Sequence, residues 1–280
     1  MHGNMQYLAD ERMDKRRSLK EIWNECESVI VFLFSYAGTK KWLLENYKKQ
    51  RVAGFTLGFS GVDYHYKIKE ILVTISEKIK KQKENIEYKI CVDTYPVLER
   101  DLAVRAGLGW VGKSSMLIHP THGSYTIIGS ILLNQKFDLP QRGNVEDQCH
   151  DCSKCVESCP TQAICNNRTI DAGNCISNFT TQEKRQLTPP NGYEDTSYIF
   201  GCDVCMDVCP YNENVLKRIL PETTETEQFN KLVSLFQETD MDELIQKIGK
   251  MSGKEYQRFM KQTSFERAGK KVLLKNLNHT

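Results

Sequence analysis

The sequence predicts an α+β protein in three parts: an α/β-layered domain over residues 1–145, a small cysteine-rich domain over 146–215 and a short helical tail over 216–280. Three observations predict it. In the first half, short β-branched apolar runs alternate with amphipathic stretches of helical period, the pattern of strands and helices stacked in layers. Nine of the eleven cysteines fall between Cys149 and Cys209. Beyond Pro210 the apolar residues recur only at helical spacing.

Residues 5–25 are charge-rich, with apolar Tyr7, Leu8, Leu19, Ile22 and Trp23, and read as helical. Residues 28–36 (SVIVFLFSY) are a continuous apolar run and read as a buried strand. Between Lys40 and Gly61 no period is clear. Gly54, Gly58 and Gly61 around Phe55 and Phe59 mark a loop that approaches another part of the molecule closely. Asp63 caps a helix in which Ile68, Ile71, Leu72, Ile75 and Ile79 share one face and lysines occupy the other. Residues 88–94 (YKICVDT) form a strand ending in an acid. Pro96 suits the first turn of a helix over 97–106, which Gly107 closes. Residues 116–119 and 125–133 are strands joined by a turn at 120–124. In the tail, Phe229, Leu232, Val233 and Phe236 mark one helix, and Met241, Leu244, Ile245 and Ile248 another.

Cys149-x2-Cys152-x2-Cys155-x3-Cys159-Pro160 is the full ligand run of a bacterial-type ferredoxin. Cys202-x2-Cys205-x3-Cys209-Pro210 lacks the opening cysteine, and Cys175 makes up the eight thiolates that two [4Fe-4S] clusters need. The fourth cysteine of each run serves the other cluster. Cluster one therefore takes Cys149, Cys152, Cys155 and Cys209, and cluster two takes Cys159, Cys175, Cys202 and Cys205. Two zinc sites would also use eight thiolates, but the paired Cys-Pro endings and the x2-x2-x3 spacing favour clusters. Disulfides are weaker still, since nothing points to an oxidising compartment. Cys26, Cys91 and Cys165 are left over as buried free thiols.

A formal net charge of +2 over 280 residues supplies no global field toward nucleic acid, so any such binding needs a local patch. The N-terminus shows no apolar signal core, and the longest apolar run, 29–34, is too short to span a bilayer. A cytoplasmic protein with no membrane partner is expected.

Two clusters define an electron path, and what they serve lies elsewhere in the chain. Asp93, at the end of a strand and ahead of a glycine-rich turn, stands where layered proteins place acids and ligands. It is a general-acid candidate, with an N-cap for the following helix as the plainer alternative. Gly107-x-Gly109-x-x-Gly112-Lys113 matches no nucleotide-binding spacing.

Together these residues resemble the epoxyqueuosine reductase family, cobalamin-dependent enzymes of queuosine tRNA modification. The marks are Val92-Asp93-Thr94 with Glu99-Arg100, the run from Ala106 to Lys113, Gly123-Ser124-Tyr125 after His119-Pro120, Gly61-x-Asp63-Tyr64-His65, Cys175-Ile176-Ser177, and Tyr198-x-Phe200-Gly201-Cys202-Asp203-x-Cys205. The resemblance implies base-off cobalamin between the layered domain and the clusters, which feed it single electrons. It implies that the epoxide of epoxyqueuosine, at the wobble position of tRNA, is deoxygenated to the alkene of queuosine. Asp93 is then the proton donor, held protonated by burial beside the uncharged corrin face, and also contacts the cofactor. Lys113, Ser114, Ser124 and Ser177 lie in segments that line it, and the cluster on Cys159, Cys175, Cys202 and Cys205 stands nearer the cobalt.

Two departures stand out. An arginine expected near Leu57 is missing, and Gly112-Lys113-Ser114-Ser115 replaces the usual Gly-Lys-Asn-Thr. The ending resembles that of the family's short members, which lack a C-terminal helical-repeat domain. A tRNA site would then draw on the basic tail (Arg267, Lys270, Lys271, Lys275) and on Lys48, Lys49 and Arg51. The remaining partner is an unidentified low-potential electron donor, and a monomer is expected. Two other readings remain at this point: a ferredoxin-like electron-transfer protein, and a cobalamin-dependent reductase of another substrate, as in reductive dehalogenases.

Overall fold

The β-branched runs form the sheet. Ser28–Ser35 (β1), Tyr88–Val92 (β2) and Thr126–Leu133 are joined in one three-stranded sheet, and the two-residue strands Trp110–Val111 (β3) and Leu117–Ile118 (β4) form a hairpin ahead of the third, β5. The strand order is β1-β5-β2 with both pairings antiparallel; Ile131 stands opposite Ile30 on one side and Ile90 on the other. This computed structural model describes residues 10, 12–137, 143, 145–182, 184, 186, 188–221 and 226–279. Expectations placed on residues 1–9 and 11 lie outside that set. Of the helix expected over 5–25, the described part holds two single turns, Arg12–Lys15 and Leu19–Ile22.

Helices flank the sheet. Ala37–Asn46 (α1) follows β1 directly, then two short 3-10 turns lead to Tyr64–Gln82 (α2). The Asp63 carboxylate accepts the His65 backbone N–H at 2.8 Å and caps α2. Ile68 and Leu72 then pack on Val92, Ile131 and Leu133 in one apolar core. The helix expected over 97–106 is Glu99–Arg105 (α3), beginning two residues late. Its Leu98 cap is non-helical (φ −81°, ψ 71°) because the preceding turn is folded back on itself, Val97 N–H donating to the Tyr95 carbonyl. Gly107 closes the helix in the left-handed region, φ +71°.

The cysteine-rich stretch is short of regular structure. It holds Ile176–Thr181 (α4) and the single turns Lys154–Glu157 and Val204–Asp207, then Pro210–Arg218 (α5), which runs across position 215. Glu227–Val233 (α6), Met241–Lys250 (α7), Gly253–Phe259 (α8) and Ser264–Leu277 (α9) follow. These last helices are no appendage. Phe229, Phe236, Leu244, Tyr256, Phe265 and Leu273 share a core with Leu43, Val52 and Leu57 from the layered half of the chain and with Ile199 and Phe200 from the cysteine-rich stretch. Asn276 sits wholly buried on α9, its Nδ2 donating to the carbonyls of Thr180 and Ile199. Gly61, at φ +77°, lets the Phe59–Gly61 turn lie against the α6 backbone, where an added Cβ would stand 3.0 Å from Phe229 Cα.

Candidate active site and cluster-binding segment

Strand β2 delivers Asp93 to the surface at φ +48°, a left-handed conformation that a short polar side chain tolerates. Its neighbours come from three elements. Tyr64 Oη donates to Asp93 Oδ2 at 2.8 Å, and His65 Nε2 lies 3.1 Å from the same oxygen. Arg267, from α9, stands 3.9 Å away, and the Asp93 backbone N–H donates to Glu99 Oε1 at 2.8 Å. His65 is held in turn by Asp63, Nδ1 to Oδ1 at 2.6 Å, with its ring stacked on Tyr64 at 4.2 Å. Asp93 is thus no N-cap of α3.

In the protein alone the electrostatics favour an ionised Asp93. Burial raises the Asp93 pKa, but hydrogen bonds from His65 and Tyr64, with the charges of His65 and Arg267, outweigh it and hold the carboxyl below its ordinary value. Burial opposes a charge on His65, yet its two carboxylate partners push it up to about 9. Glu99 is driven up to about 7, first by burial and then by the charge of Asp93. The proton in this network therefore rests on His65 at neutral pH.

A cleft of about 500 Å³ opens beside Asp93, lined by Tyr66, Ile90, Thr94, Tyr95, Thr263 and Arg267 among others. Tyr66 and Tyr95 are 51% and 42% exposed. Large exposed aromatic faces beside polar groups fit a broad, flat ligand with polar edges, as a corrin or a nucleobase is.

The cysteines fall into two groups. Burial raises the Cys155 thiol, and Cys149, Cys209 and Cys152 raise it further. Burial likewise lifts Cys205, with Cys202, Cys175 and Cys159 adding to it. The Ala163 backbone N–H donates to Cys159 Sγ at 3.3 Å, and nearby backbone N–H groups (Ser177 and Asn178 for Cys175, Val204 for Cys202, Tyr211 and Asn212 for Cys209) oppose the rise that burial imposes on those thiols. Among the described residues no three His, Cys, Asp or Glu side chains converge closely enough for a single metal ion. Two groups of four thiols match the ligand count of two four-iron clusters. Of the three remaining thiols, Cys26 and Cys91 are buried, whereas Cys165 is only half-buried. Its carbonyl and N–H pair with Arg168 and Thr169 in an open turn, too near the surface to be enclosed.

The glycine-rich turn packs against the first group. An added Cβ on Gly109 would lie 2.1 Å from the Ile118 carbonyl oxygen, and one on Gly112 would lie 3.4 Å from Cys149 Sγ. Trp110 Nε1 donates to Cys149 Sγ at 3.5 Å, and Lys113 Nζ donates to the His150 carbonyl at 2.7 Å. Ser114 is buried. Ser124 is 2% exposed, its N–H donating to Asn212 Oδ1 and its Oγ accepting from Asn212 Nδ2. Ser177 is half-buried on α4, where its carbonyl accepts from Thr181 Oγ1. On the side of the second group, the Phe55 ring stands 6.1 Å from that of Tyr64 and borders the same apolar cluster as Cys202.

Sequence reasoning missed Lys40. It is fully buried on α1, its Nζ 2.9 Å from carboxylate oxygens of both Asp203 and Asp207 and from Gln50 Oε1. Helical spacing carried the signal, since Lys40 lies between Tyr36 and Leu43 on a buried face. Part of the expected basic surface is also spoken for. Lys270 Nζ donates to the Gly249 carbonyl, Lys275 Nζ to that of Phe179, and Arg51 to that of Thr239. Lys48, Lys49 and Lys271 remain exposed.

Among the described residues no helix is long and apolar enough to cross a membrane. Residues 148–212 match a 4Fe-4S double cluster binding domain, and residues 16–94 match the family described as epoxyqueuosine reductase QueG, DUF1730. The epoxyqueuosine reductase of Leadbetterella byssophila is 34% identical over 280 residues, covering 99% of this chain and 84% of that protein. That of Cyclobacterium marinum is 34% identical over 214 residues, 75% of this chain and 66% of its own length. The solved epoxyqueuosine reductase from Streptococcus thermophilus shares the fold with a TM-score of 0.76 at 24% identity, over 95% of this chain and 67% of that one. A second solved epoxyqueuosine reductase, holding an epoxyqueuosine-modified tRNA-Tyr stem loop, does so with 0.72 at 24%, over the same shares. With a relative one third identical along nearly its whole length, the chain belongs to the epoxyqueuosine reductase family.

Proposed function

We propose that this chain reduces epoxyqueuosine to queuosine at the wobble position of tRNA, in the cytoplasm and as a monomer. Electrons enter from a low-potential donor through two [4Fe-4S] clusters, one on Cys149, Cys152, Cys155 and Cys209, the other on Cys159, Cys175, Cys202 and Cys205. Residues 1–145 carry most of the substrate site, 146–215 the clusters and 216–280 the helices that close the core and add Thr263 and Arg267 to the cleft. Loss of the epoxide oxygen as water requires two electrons and two protons. When bound, cobalamin supplies the electron-rich centre at which the carbon–oxygen bond breaks. Asp93, Lys113, Ser114 and Ser177 belong to its surroundings; Ser124 contributes through the turn it fixes, because Asn212 occupies its Oγ. Asp93 delivers a proton to the departing oxygen from Oδ2, with Tyr64 and His65 fixing the direction of that oxygen. Tyr66 and Tyr95 supply faces on which flat groups stack and from which water is displaced.

One observation carries this reading: an acid at a strand end, beside an aromatic-rimmed cleft, binds Tyr64, whose ring meets Phe55 at the edge of the apolar cluster that Cys202 also borders. The test uses cluster-loaded protein, cobalamin and an anticodon stem-loop bearing epoxyqueuosine, with product mass as the readout. Loss of one oxygen is expected. Asp93→Asn is expected to keep its iron and cobalamin and to turn over about 10² to 10⁴ times more slowly. Failure to retain cobalamin favours a plain electron carrier, and an unchanged stem-loop with cobalamin bound moves the reading to another substrate. Normal turnover by Asp93→Asn removes the acid assignment.

A further inference from the structure

An acid that is ionised at rest has no proton to give. Asp93 is such a group, and the nearest group that holds one is His65, Nε2 to Oδ2 at 3.1 Å. Two features fit His65 for passing that proton on. Its far nitrogen, Nδ1, keeps its own hydrogen on Asp63 Oδ1 at 2.6 Å, which fixes the ring and leaves Nε2 as the nitrogen that exchanges. Nε2 also has a partner in each of its states. Protonated, it donates to Asp93 Oδ2; deprotonated, its lone pair accepts from Arg267 Nη1, 3.3 Å away. Neither state strands a polar atom, so the ring need not turn between them.

We propose that His65, aligned by Asp63, is the residue that reloads Asp93 with a proton, and that Arg267 stabilises His65 once the proton has left. The inference rests on the donor role proposed for Asp93. In the step the Nε2–H bond of His65 breaks and an O–H bond forms on Asp93 Oδ2; an imidazolium and a carboxylate become a neutral pair, and no electron moves. His65 then takes a proton from water, since its side chain is 21% exposed. A neutral pair is favoured when a ligand covers the site and removes the water that solvates the charges. Substrate binding therefore drives the transfer in the direction the reaction needs.

The charged and titratable groups around the relay come from three elements. Asp63, Tyr64 and Lys69 belong to α2 or its cap, Asp93 and Glu99 to the β2–α3 segment, and Glu266 and Arg267 to α9. A merely structural histidine would tie α2 to the loop without setting the pH profile. A proton donor sets it.

The test pairs spectroscopy with kinetics on cluster-loaded protein. NMR titration of the imidazole, assigned by its disappearance in His65→Gln, is expected to give a midpoint near 9 that falls toward 6.5 in Asp63→Asn. Turnover of the stem-loop substrate is expected to lose activity on the alkaline side at that same midpoint. In His65→Gln, kcat at pH 7 falls about 10- to 100-fold while KM changes less than about threefold, and the alkaline limb at that pH vanishes. In Asp63→Asn, a fold-compatible second variant, the limb moves down with the NMR midpoint. Asp93→Asn slow with His65→Gln at wild-type rate overturns the relay and leaves the acid assignment standing; both at wild-type rate overturns the acid as well. An alkaline limb that stays in place in Asp63→Asn while the NMR midpoint moves also overturns the relay.

Discussion

The Nζ of Lys40 lies 2.9 Å from Oδ2 of Asp203, and both side chains are wholly buried. Asp203 stands between Cys202 and Cys205, and Asp207, also held by Lys40, between Cys205 and Cys209. The same Asp203 oxygen accepts the Gly54 N–H at 2.7 Å, and an added Cβ on Gly54 would crowd Lys40 Cδ at 3.2 Å. One ammonium thus pins the second cysteine run to α1 and to the glycine loop that leads to Phe55. Burial opposes the charge on Lys40, but its two carboxylates outweigh that penalty and raise its pKa.

Lys40→Met tests this. Removing one member of a buried ion set leaves uncompensated charge and costs about 3–5 kcal/mol, far more than an exposed pair. Urea denaturation of the cluster-loaded protein is expected to show that loss, and Lys40→Met with Asp203→Asn is expected to recover part of it. A loss under about 1 kcal/mol in the single variant would mean that the two carboxylates find other compensation.

Cys175 stands outside both cysteine runs, at the N-cap of α4, where the Ser177 and Asn178 N–H groups face its sulfur. Cys175→Ala is expected to take the iron content from about eight to about four per chain, because only one cluster loses a ligand. Iron analysis with electron paramagnetic resonance of the reduced protein reads the result. Full iron, or none, would refute the pairing of Cys175 with Cys159, Cys202 and Cys205.

How much of this was legible in the sequence depends on the range of the interaction. β1, β2 and β5 were readable because runs such as SVIVFLFS state their own strand, and the Asp63 cap because it acts within two residues. The start of α3 was not. Pro96 favours a helix locally, but Asp93 binds Glu99 across six residues and holds the intervening segment as a loop. The glycine-rich turn was visible as a turn, yet nothing local says that Gly112 abuts Cys149, 37 positions on. The partners that lower the Asp93 pKa in the protein alone were hidden for the same reason: His65 and Arg267 reach Asp93 from 28 and 174 positions away. Arg267 also bears on the missing arginine near Leu57. Leu57 is wholly buried among apolar neighbours, and the guanidinium at the site comes from α9 instead.

Glu99 and His65 give the folded protein a pH dependence whose sign is set by two raised pKa values. Glu99 moves from 4.5 to about 7 and His65 from 6.5 to about 9. Both groups hold more proton in the folded than in the unfolded chain over those intervals, so each contributes stability that is lost as pH rises through its folded value. The thermal midpoint is therefore expected to decline from pH 4.5 to about 7 on account of Glu99, and again from 6.5 to about 9 on account of His65. Glu99→Gln keeps an acceptor for the Asp93 N–H and removes the proton linkage, so the lower decline should flatten while the upper persists. His65→Gln should do the converse. Scanning calorimetry of the three proteins across pH 5 to about 9.5 makes the comparison, and the difference between each variant and the parent cancels the background of other groups. A midpoint difference, parent minus His65→Gln, that rises between pH 7 and about 9 would contradict the His65 linkage, because an imidazolium held between Asp63 and Asp93 must stabilise the fold less as it loses its proton.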